Sequence, residues 1–378
     1  MAPAFYRAHH ADLAALADDN RLRRLIPRAG VDFSSNDYLG LSGSQELRST
    51  VAAAIANGLD IGSGGSRLLR GNHAEHEALE AYAAAHYRSE AALYFPTGFI
   101  ANAAFFATVP QRGDLIVYDD MIHASVHDGM RQSRAERRPA RHNDVHDFEA
   151  QIRAYRASGG TATIWIAVES LYSMDGDFAP LDDLSALADR HDAILVVDEA
   201  HGTGVYGPQG IGLSHALLPR DNIITLHTCG KALGCEGALL CAPRVICDFI
   251  VNRGRPFIFS TAPSPLMAHA VRTALSIVAS SDARQNRLSA LVRYAETRLA
   301  ALGLPASGSQ ILPIIIGDNG RTMALAASLQ QAGFDVRGIR PPTVPHGTAR
   351  LRLAITLNVD EKNIDAVTDH LAATMETA

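Results

Sequence analysis

Lysine is almost absent from this chain. Of its 34 basic residues only Lys231 and Lys362 are lysine, so arginine covers the general need for positive charge. A guanidinium cannot be deprotonated at usable pH, whereas an amine can serve as nucleophile or base. Lys362 stands in Asp360-Glu361-Lys362-Asn363, which reads as a solvated helix start. Lys231 stands in Thr228-Cys229-Gly230-Lys231-Ala232-Leu233-Gly234, among small and weakly polar residues, and is the first candidate for chemistry. Earlier by 33 residues, Val196-Val197-Asp198-Glu199-Ala200-His201-Gly202 places an acid and a histidine just past an apolar run that reads as a buried strand. Taken alone, Asp198 could equally cap the following turn. With Lys231 at the end of a later strand, the set suits pyridoxal phosphate. The lysine forms a Schiff base, and the aspartate keeps a proton on the pyridine nitrogen so that the ring stays an electron sink.

Such residues need a sheet to hold them. Short apolar runs at Ala91–Phe95, Leu115–Tyr118, Thr163–Val168, Ala193–Val197, Ile223–Leu226 and Ala238–Cys241 read as strands. Helical patterns fill gaps at His73–Tyr87, Gly98–Thr108, Val145–Ala157 and Leu181–His191. Apolar strands separated by helices predict an α/β fold with a mostly parallel sheet covered on both faces. Ligands in such sheets bind beyond the carboxyl ends of the strands, where Asp198 and Lys231 stand. After Pro263 one long helix is expected over Pro265–Leu302. Strands at Ile311–Ile316, Asp335–Ile339 and Arg350–Thr356 follow, with helices from about Arg321 and Lys362. The expected organisation is an N-terminal helical segment (1–60), a large cofactor-binding α/β domain (61–262), and an interdomain helix with a smaller C-terminal α/β domain (263–378).

Composition narrows the class. The chain has 378 residues, 47% hydrophobic and 20% charged, which is globular usage. A formal charge of -6 argues against a general nucleic-acid binder. The first residues lack the apolar core of a signal peptide, and no apolar run approaches the ~20 residues that span a bilayer. A cytoplasmic protein without a membrane partner is expected. Cys229, Cys235, Cys241 and Cys247 show no C-x-x-C spacing and read as small buried residues with free thiols; no metal site is expected. Gly62-Ser63-Gly64-Gly65-Ser66 is glycine-rich but lacks the Gly-Lys-Ser/Thr of a nucleotide loop. Arg131, Arg134, Arg137, Arg138 and Arg141 form a basic cluster. It reads first as solvated surface, with an acidic carrier protein or a nucleotide phosphate as the other use.

Several long segments, in order along nearly the whole chain, resemble the α-oxoamine synthases, a family of fold-type I pyridoxal-phosphate transferases. They are Phe33-Ser34-Ser35-Asn36-Asp37-Tyr38-Leu39-Gly40-Leu41, Gly62–Arg67, Ser173-Met174-Asp175-Gly176-Asp177, Asp198–Gly204, Gly230-Lys231, and the stretch Ile339-Arg340-Pro341-Pro342-Thr343 through Arg350-Leu351-Arg352-Leu353. The resemblance implies a large, mostly parallel sheet domain with a smaller α/β C-terminal domain. It also implies roles. Lys231 carries the cofactor and then removes the substrate α-proton, Asp198 pairs with the ring nitrogen, His201 contacts the ring's phenolic oxygen, and His123 stacks on the ring. Gly98 and Phe99, at the start of an expected helix, offer backbone N–H groups to the phosphate. Ser173 and Thr228 touch the cofactor. Arg352 clamps the amino-acid carboxylate, while Thr343 and Arg23 line the acyl side. Arg350 is taken to face the other way, as an edge-strand solubility arginine.

The reaction implied is decarboxylative condensation of L-alanine with a pimeloyl thioester carried on coenzyme A or an acyl carrier protein, in a homodimer. The rivals are sibling synthases that use glycine or serine with acetyl, succinyl or palmitoyl thioesters, and, more remotely, a scaffold that has lost the cofactor. Cys235-Glu236 and Arg70 depart from the family pattern and bear on the entrance or on acyl preference.

Overall fold

In the computed structural model, which describes residues 4–375, each of the six apolar runs expected to be strands between Ala91 and Cys241 is one, displaced from its expected bounds by no more than two residues. In chain order the strands are β1 (Val31–Asp32), β2 (Ala91–Phe95), β3 (Leu115–Asp119), β4 (Glu136–Ala140), β5 (Ile164–Glu169), β6 (Ala193–Asp198), β7 (Ile223–Thr228), β8 (Ala238–Ala242), β9 (Ile311–Gly317), β10 (Phe334–Asp335), β11 (Gly338–Ile339) and β12 (Ala349–Ala354). The helices used below are α1 (Arg7–Asp18), α2 (Gln45–Ala56), α3 (Ala74–His86), α4 (Gly98–Thr108), α5 (Ala124–Gln132), α6 (Val145–Ala157), α7 (Leu181–Arg190), α8 (Arg244–Arg253), α9 (Arg255–Ile258), α10 (Pro265–Ala279), α11 (Asp282–Ala300), α12 (Asn319–Gln331) and α13 (Glu361–Met375).

The chain divides into two compact units. The larger comprises 39–173 and 178–286, and the smaller 1–38, 174–177 and 287–378. In the larger unit seven strands form one sheet in the order β2-β8-β7-β6-β5-β3-β4. β8 is antiparallel to both its neighbours, and the pairs among β3 to β7 are parallel. Strand residues alternate between two buried clusters. Ile116, Trp165, Ala167, Val196 and Leu226 pack with α4, α5 and α8, whereas Val117, Ile166, Val168 and Val197 pack with α6 and α7. That two-residue period is what a sheet covered on both faces requires.

β4 has no apolar alternation to announce it. Its sequence, Glu136-Arg137-Arg138-Pro139-Ala140, lies at the sheet edge, where charges and proline are tolerated because one side of the strand makes no ladder. Within the basic cluster Arg131 pairs with Asp128, Arg138 with Glu136, and Arg141 with Asp144 and Asp147. The single long helix expected over Pro265–Leu302 is two helices. Ser280 ends α10 by turning its hydroxyl onto the Ser276 and Ile277 carbonyls, competing with the helix ladder.

The smaller unit holds a three-stranded antiparallel sheet, β11-β12-β9, and the parallel pair β1-β10. The strand expected over Asp335–Ile339 is thus two short strands in different sheets, parted at Val336-Arg337. β12 is central in its sheet, which overturns the reading of Arg350 as an edge-strand solubility arginine. Arg350 and Arg352 are two residues apart and share a strand face, and both are buried. Arg350 donates to Asp175 Oδ1 at 2.5 Å and to the Met174 carbonyl at 3.2 Å. Lys362 is exposed in the first turn of α13, as its setting implied, and all four cysteines are free, with Cys235 half-buried and the others buried. No helix among the described residues is long and apolar enough to cross a membrane.

Candidate active site

The carboxyl ends of β5, β6 and β7 converge on the face covered by α4 and α5. Counting in twos from Ala167, Val196 and Leu226 puts Glu169, Asp198 and Thr228 on that face. Asp198 is buried at 7% exposure. Its Oδ2 accepts from Asn102 Nδ2 at 2.7 Å and its Oδ1 from the Ala200 N–H at 2.9 Å. Asn102 Nδ2 also donates to Ser125 Oγ at 3.1 Å, and Ser125 Oγ lies 2.8 Å from His123 Nδ1. A hydrogen-bonded chain thus runs from Asp198 on β6 through Asn102 on α4 and Ser125 on α5 to His123. His123 caps α5, its Nδ1 accepting the Ser125 N–H, so the proton of the neutral ring resides on Nε2. Burial lowers the pKa of His123, Lys231's charge adds to the fall and Asp198 opposes it, so the ring is neutral at pH 7.

Lys231 lies in the loop between β7 and β8. Its carbonyl accepts the Gly234 N–H at 2.8 Å, and Cys235 N–H returns to the Cys229 carbonyl at 2.9 Å. Gly234 has φ +63°, and a Cβ there would stand 2.3 Å from the Ser42 nitrogen, so only glycine lets this turn lie against Leu41-Ser42. The half-buried Lys231 Nζ lies 2.9 Å from His201 Nε2. His201 is itself 3% exposed, in the turn that follows β6.

Thr97 caps α4 by accepting the Ile100 N–H on Oγ1 at 3.1 Å. The N–H groups of Gly98 and Phe99, in the first turn, have no acceptor within the helix, and the helix dipole favours an anion there. A Cβ on Gly98 would lie 3.5 Å from Thr228 Oγ1, so this helix start adjoins the end of β7. The Phe99 and His123 rings meet edge to face at 6.4 Å. Ser173 is half-buried in the loop after β5.

Residues 28–371 match the aminotransferase class I and II family. The 8-amino-7-oxononanoate synthase of Anaeromyxobacter dehalogenans (strain 2CP-1) is 42% identical over 351 residues, which is 92% of this chain and 87% of that protein. The chain belongs to the α-oxoamine synthase family. Two solved structures agree. A high-resolution structure of SPT with a PLP internal aldimine superposes at TM-score 0.89 and 25% identity, covering 99% of this chain and 98% of that one. The 8-amino-7-oxononanoate synthase of Francisella tularensis does so at TM-score 0.77 and 25% identity, covering 92% and 98%. Like other α-oxoamine synthases, the chain is a pyridoxal-phosphate-dependent acyltransferase with the fold-type I architecture.

The residues fit that cofactor. A buried carboxylate held by neutral donors leaves its charge to be answered by a cation such as a protonated ring nitrogen. A helix start whose Gly98 and Phe99 N–H groups have no acceptor within the helix suits the phosphate, and a half-buried amine stands beside a buried imidazole. All the residues expected to meet the cofactor (Gly98, Phe99, His123, Ser173, Asp198, His201, Thr228 and Lys231) fall in the larger unit. Arg23, Thr343 and Arg352 fall in the smaller one. There Arg23 Nη2 donates to Thr343 Oγ1 at 2.8 Å across 320 residues of sequence, and Arg352 Nη2 donates to Asn36 Oδ1 at 2.9 Å. Tyr38 OH lies 3.4 Å from the same nitrogen.

Four residues of this α-oxoamine synthase escaped sequence reasoning: Asn102, Ser125, Glu169 and, as a partner for Arg352, Asn36. Asn102 left a trace, as a polar residue on the buried face of the apolar helix Gly98-Phe99-Ile100-Ala101-Asn102-Ala103-Ala104-Phe105. Glu169 reads as the ordinary end of a strand.

Proposed function

We propose that this enzyme condenses L-alanine with a pimeloyl thioester, releasing the free thiol of the acyl carrier and CO₂, to give 8-amino-7-oxononanoate. The observation that carries the substrate assignment is the 42% identity over 92% of the chain to a protein of that name. The SPT structure superposes with a higher TM-score than the 8-amino-7-oxononanoate synthase structure. Both stand at only 25% identity, so that difference describes shape and gives no ground for preferring serine and palmitate.

In this reading Lys231 holds pyridoxal phosphate covalently, the α4 N-terminus with Thr228 holds its phosphate, and Asp198 holds a proton on its ring nitrogen. The bound cofactor supplies the electron sink for a carbanion at the amino acid's Cα and for the decarboxylation. Lys231 Nζ removes the α-proton and later returns one to the same carbon. His201 orients the lysine amine through its Nε2 and contacts the phenolic oxygen. His123 packs on the ring, its plane set by the hydrogen bonds of Ser125. Ser173 completes the cofactor contacts. Arg352, one nitrogen fixed by Asn36, clamps the amino-acid carboxylate, and the Arg23–Thr343 pair lines the acyl side. A cytoplasmic homodimer, with the acyl group on coenzyme A or a carrier protein, belongs to the same proposal and is supported by the family resemblance.

Substrate choice tests it. A single methyl group separates alanine from glycine and discriminates by only ~1–3 kcal/mol, so glycine reacts slowly rather than not at all. The acyl side offers more, because pimeloyl carries a distal polar group that acetyl lacks. In a matrix of amino acids against acyl thioesters, with products identified by mass, alanine with pimeloyl thioester should exceed glycine with acetyl thioester by at least about tenfold in kcat/KM. Preference for glycine or serine with acetyl, succinyl or palmitoyl thioester would overturn the substrate assignment and leave the chemistry intact.

Arg352→Ala should raise the alanine KM at least about tenfold while leaving the cofactor absorption unchanged, since a bidentate clamp holds substrate rather than cofactor. A changed cofactor spectrum with an unaltered KM would remove Arg352 from the substrate site.

A further inference from the structure

The last residue of β5, Glu169, has no task in the chemistry above, yet it is 2% exposed. It pairs in register with Asp198 on the neighbouring parallel strand, and residues in register project to the same face. Trp165 and Ala167 on β5, with Val196 on β6, identify that face as the one against α4 and α5. The two carboxyl groups are therefore neighbours. Both Asp198 oxygens have hydrogen-bond donors, whereas Glu169 Oε1 is buried with no partner. An ionised carboxylate with an orphaned oxygen, beside a second carboxylate, is far costlier than a neutral acid.

We propose that Glu169 is a positioning residue that carries the proton of an acid pair with Asp198, so that at neutral pH one negative charge, on Asp198, answers the cofactor's ring nitrogen. The proposal rests on the assignment of Asp198 to that nitrogen and is independent of which acyl group is transferred.

The charged surroundings set the sign of the pH dependence. Burial pushes the Glu169 carboxyl up to about 8, and the charges of Asp198 on β6 and Asp119 on β3 also raise it. Lys231, from the loop after β7, and the backbone N–H of His123, at the cap of α5, pull it down. Glu169 is protonated below that value and ionises above it. The second negative charge then stabilises nearby positive charge, so the Lys231–cofactor nitrogen holds its proton to higher pH than it would beside a neutral residue.

Two readouts test this on the holoenzyme without measuring turnover. The first is isotope-edited infrared spectroscopy of protein labelled at the glutamate side-chain carboxyl carbon. A protonated-carboxyl band should be present at about pH 7 and lost by about pH 9, and it should be missing in Glu169→Gln. The second is the cofactor absorption followed against pH. Wild type should show a step near the Glu169 value, and Glu169→Gln should keep the neutral-pH spectrum and lose that step. Should the glutamine variant fail to fold, Glu169→Asp serves, because it removes the band from the glutamate-labelled spectrum while keeping an acid in place. The proposal is overturned if the band that loses intensity over this range persists in the variants, if no such band exists in wild type, or if the absorption step survives Glu169→Gln.

Discussion

Lys231→Ala should abolish turnover, by at least about a thousandfold, and should abolish covalent attachment of the cofactor. The arginine-rich composition leaves no substitute amine. The other lysine, Lys362, is exposed in the first turn of α13. Loss of Nζ also removes the partner 2.9 Å from His201 Nε2, so an added free amine would not find the same orientation. The α4 N-terminus survives the substitution, and weak noncovalent cofactor binding should persist through the phosphate. Borohydride reduction followed by peptide mass analysis reads the result directly. Wild type should carry reduced cofactor on the peptide containing Lys231, and the variant should carry none. Attachment at Lys362 in wild type would reject the assignment of Lys231.

Asp198→Asn should still bind cofactor but lose about a hundredfold or more in kcat. An asparagine fills the same space and can keep a hydrogen bond to Asn102 or to the Ala200 N–H. What it lacks is the charge that favours a protonated ring nitrogen. Removing one partner of a buried ionic hydrogen bond costs ~3 kcal/mol or more, which corresponds to about a hundredfold in rate. Steady-state kinetics at saturating alanine, beside the absorption spectrum of the bound cofactor, separate loss of chemistry from loss of cofactor. Activity within about threefold of wild type would take Asp198 out of the mechanism. In Glu169→Gln the residue-198 charge is untouched, so the two variants report on different halves of the acid pair.

Much of this enzyme was legible along the chain because the relevant signals are local. Two lysines among 34 basic residues single out Lys231 whatever the fold. Short apolar runs mark β2, β3 and β5 to β8, since a strand covered on both faces must be apolar almost throughout. Motif order along the chain carried the family. Errors arose where the deciding contact was not local. The edge strand β4 was invisible because a strand paired on one side needs no apolar alternation. The two-residue spacing of Arg350 and Arg352 already puts them on one face of β12, against the expectation that Arg350 faces the other way; what spacing leaves open is what meets them, Asp175 for one and Asn36 for the other. Asn102 and Asp198 are 96 residues apart, and their hydrogen bond exists because α4 docks on the sheet face that holds Asp198. The pairing of Glu169 with Asp198 is likewise a matter of strand register, and a slip of one residue would have sent Glu169 to the opposite face. Local pattern specifies which segments become strands and helices. Which polar groups then meet is set by register and by the docking of helices on the sheet, and neither is encoded in the spacing of neighbouring residues.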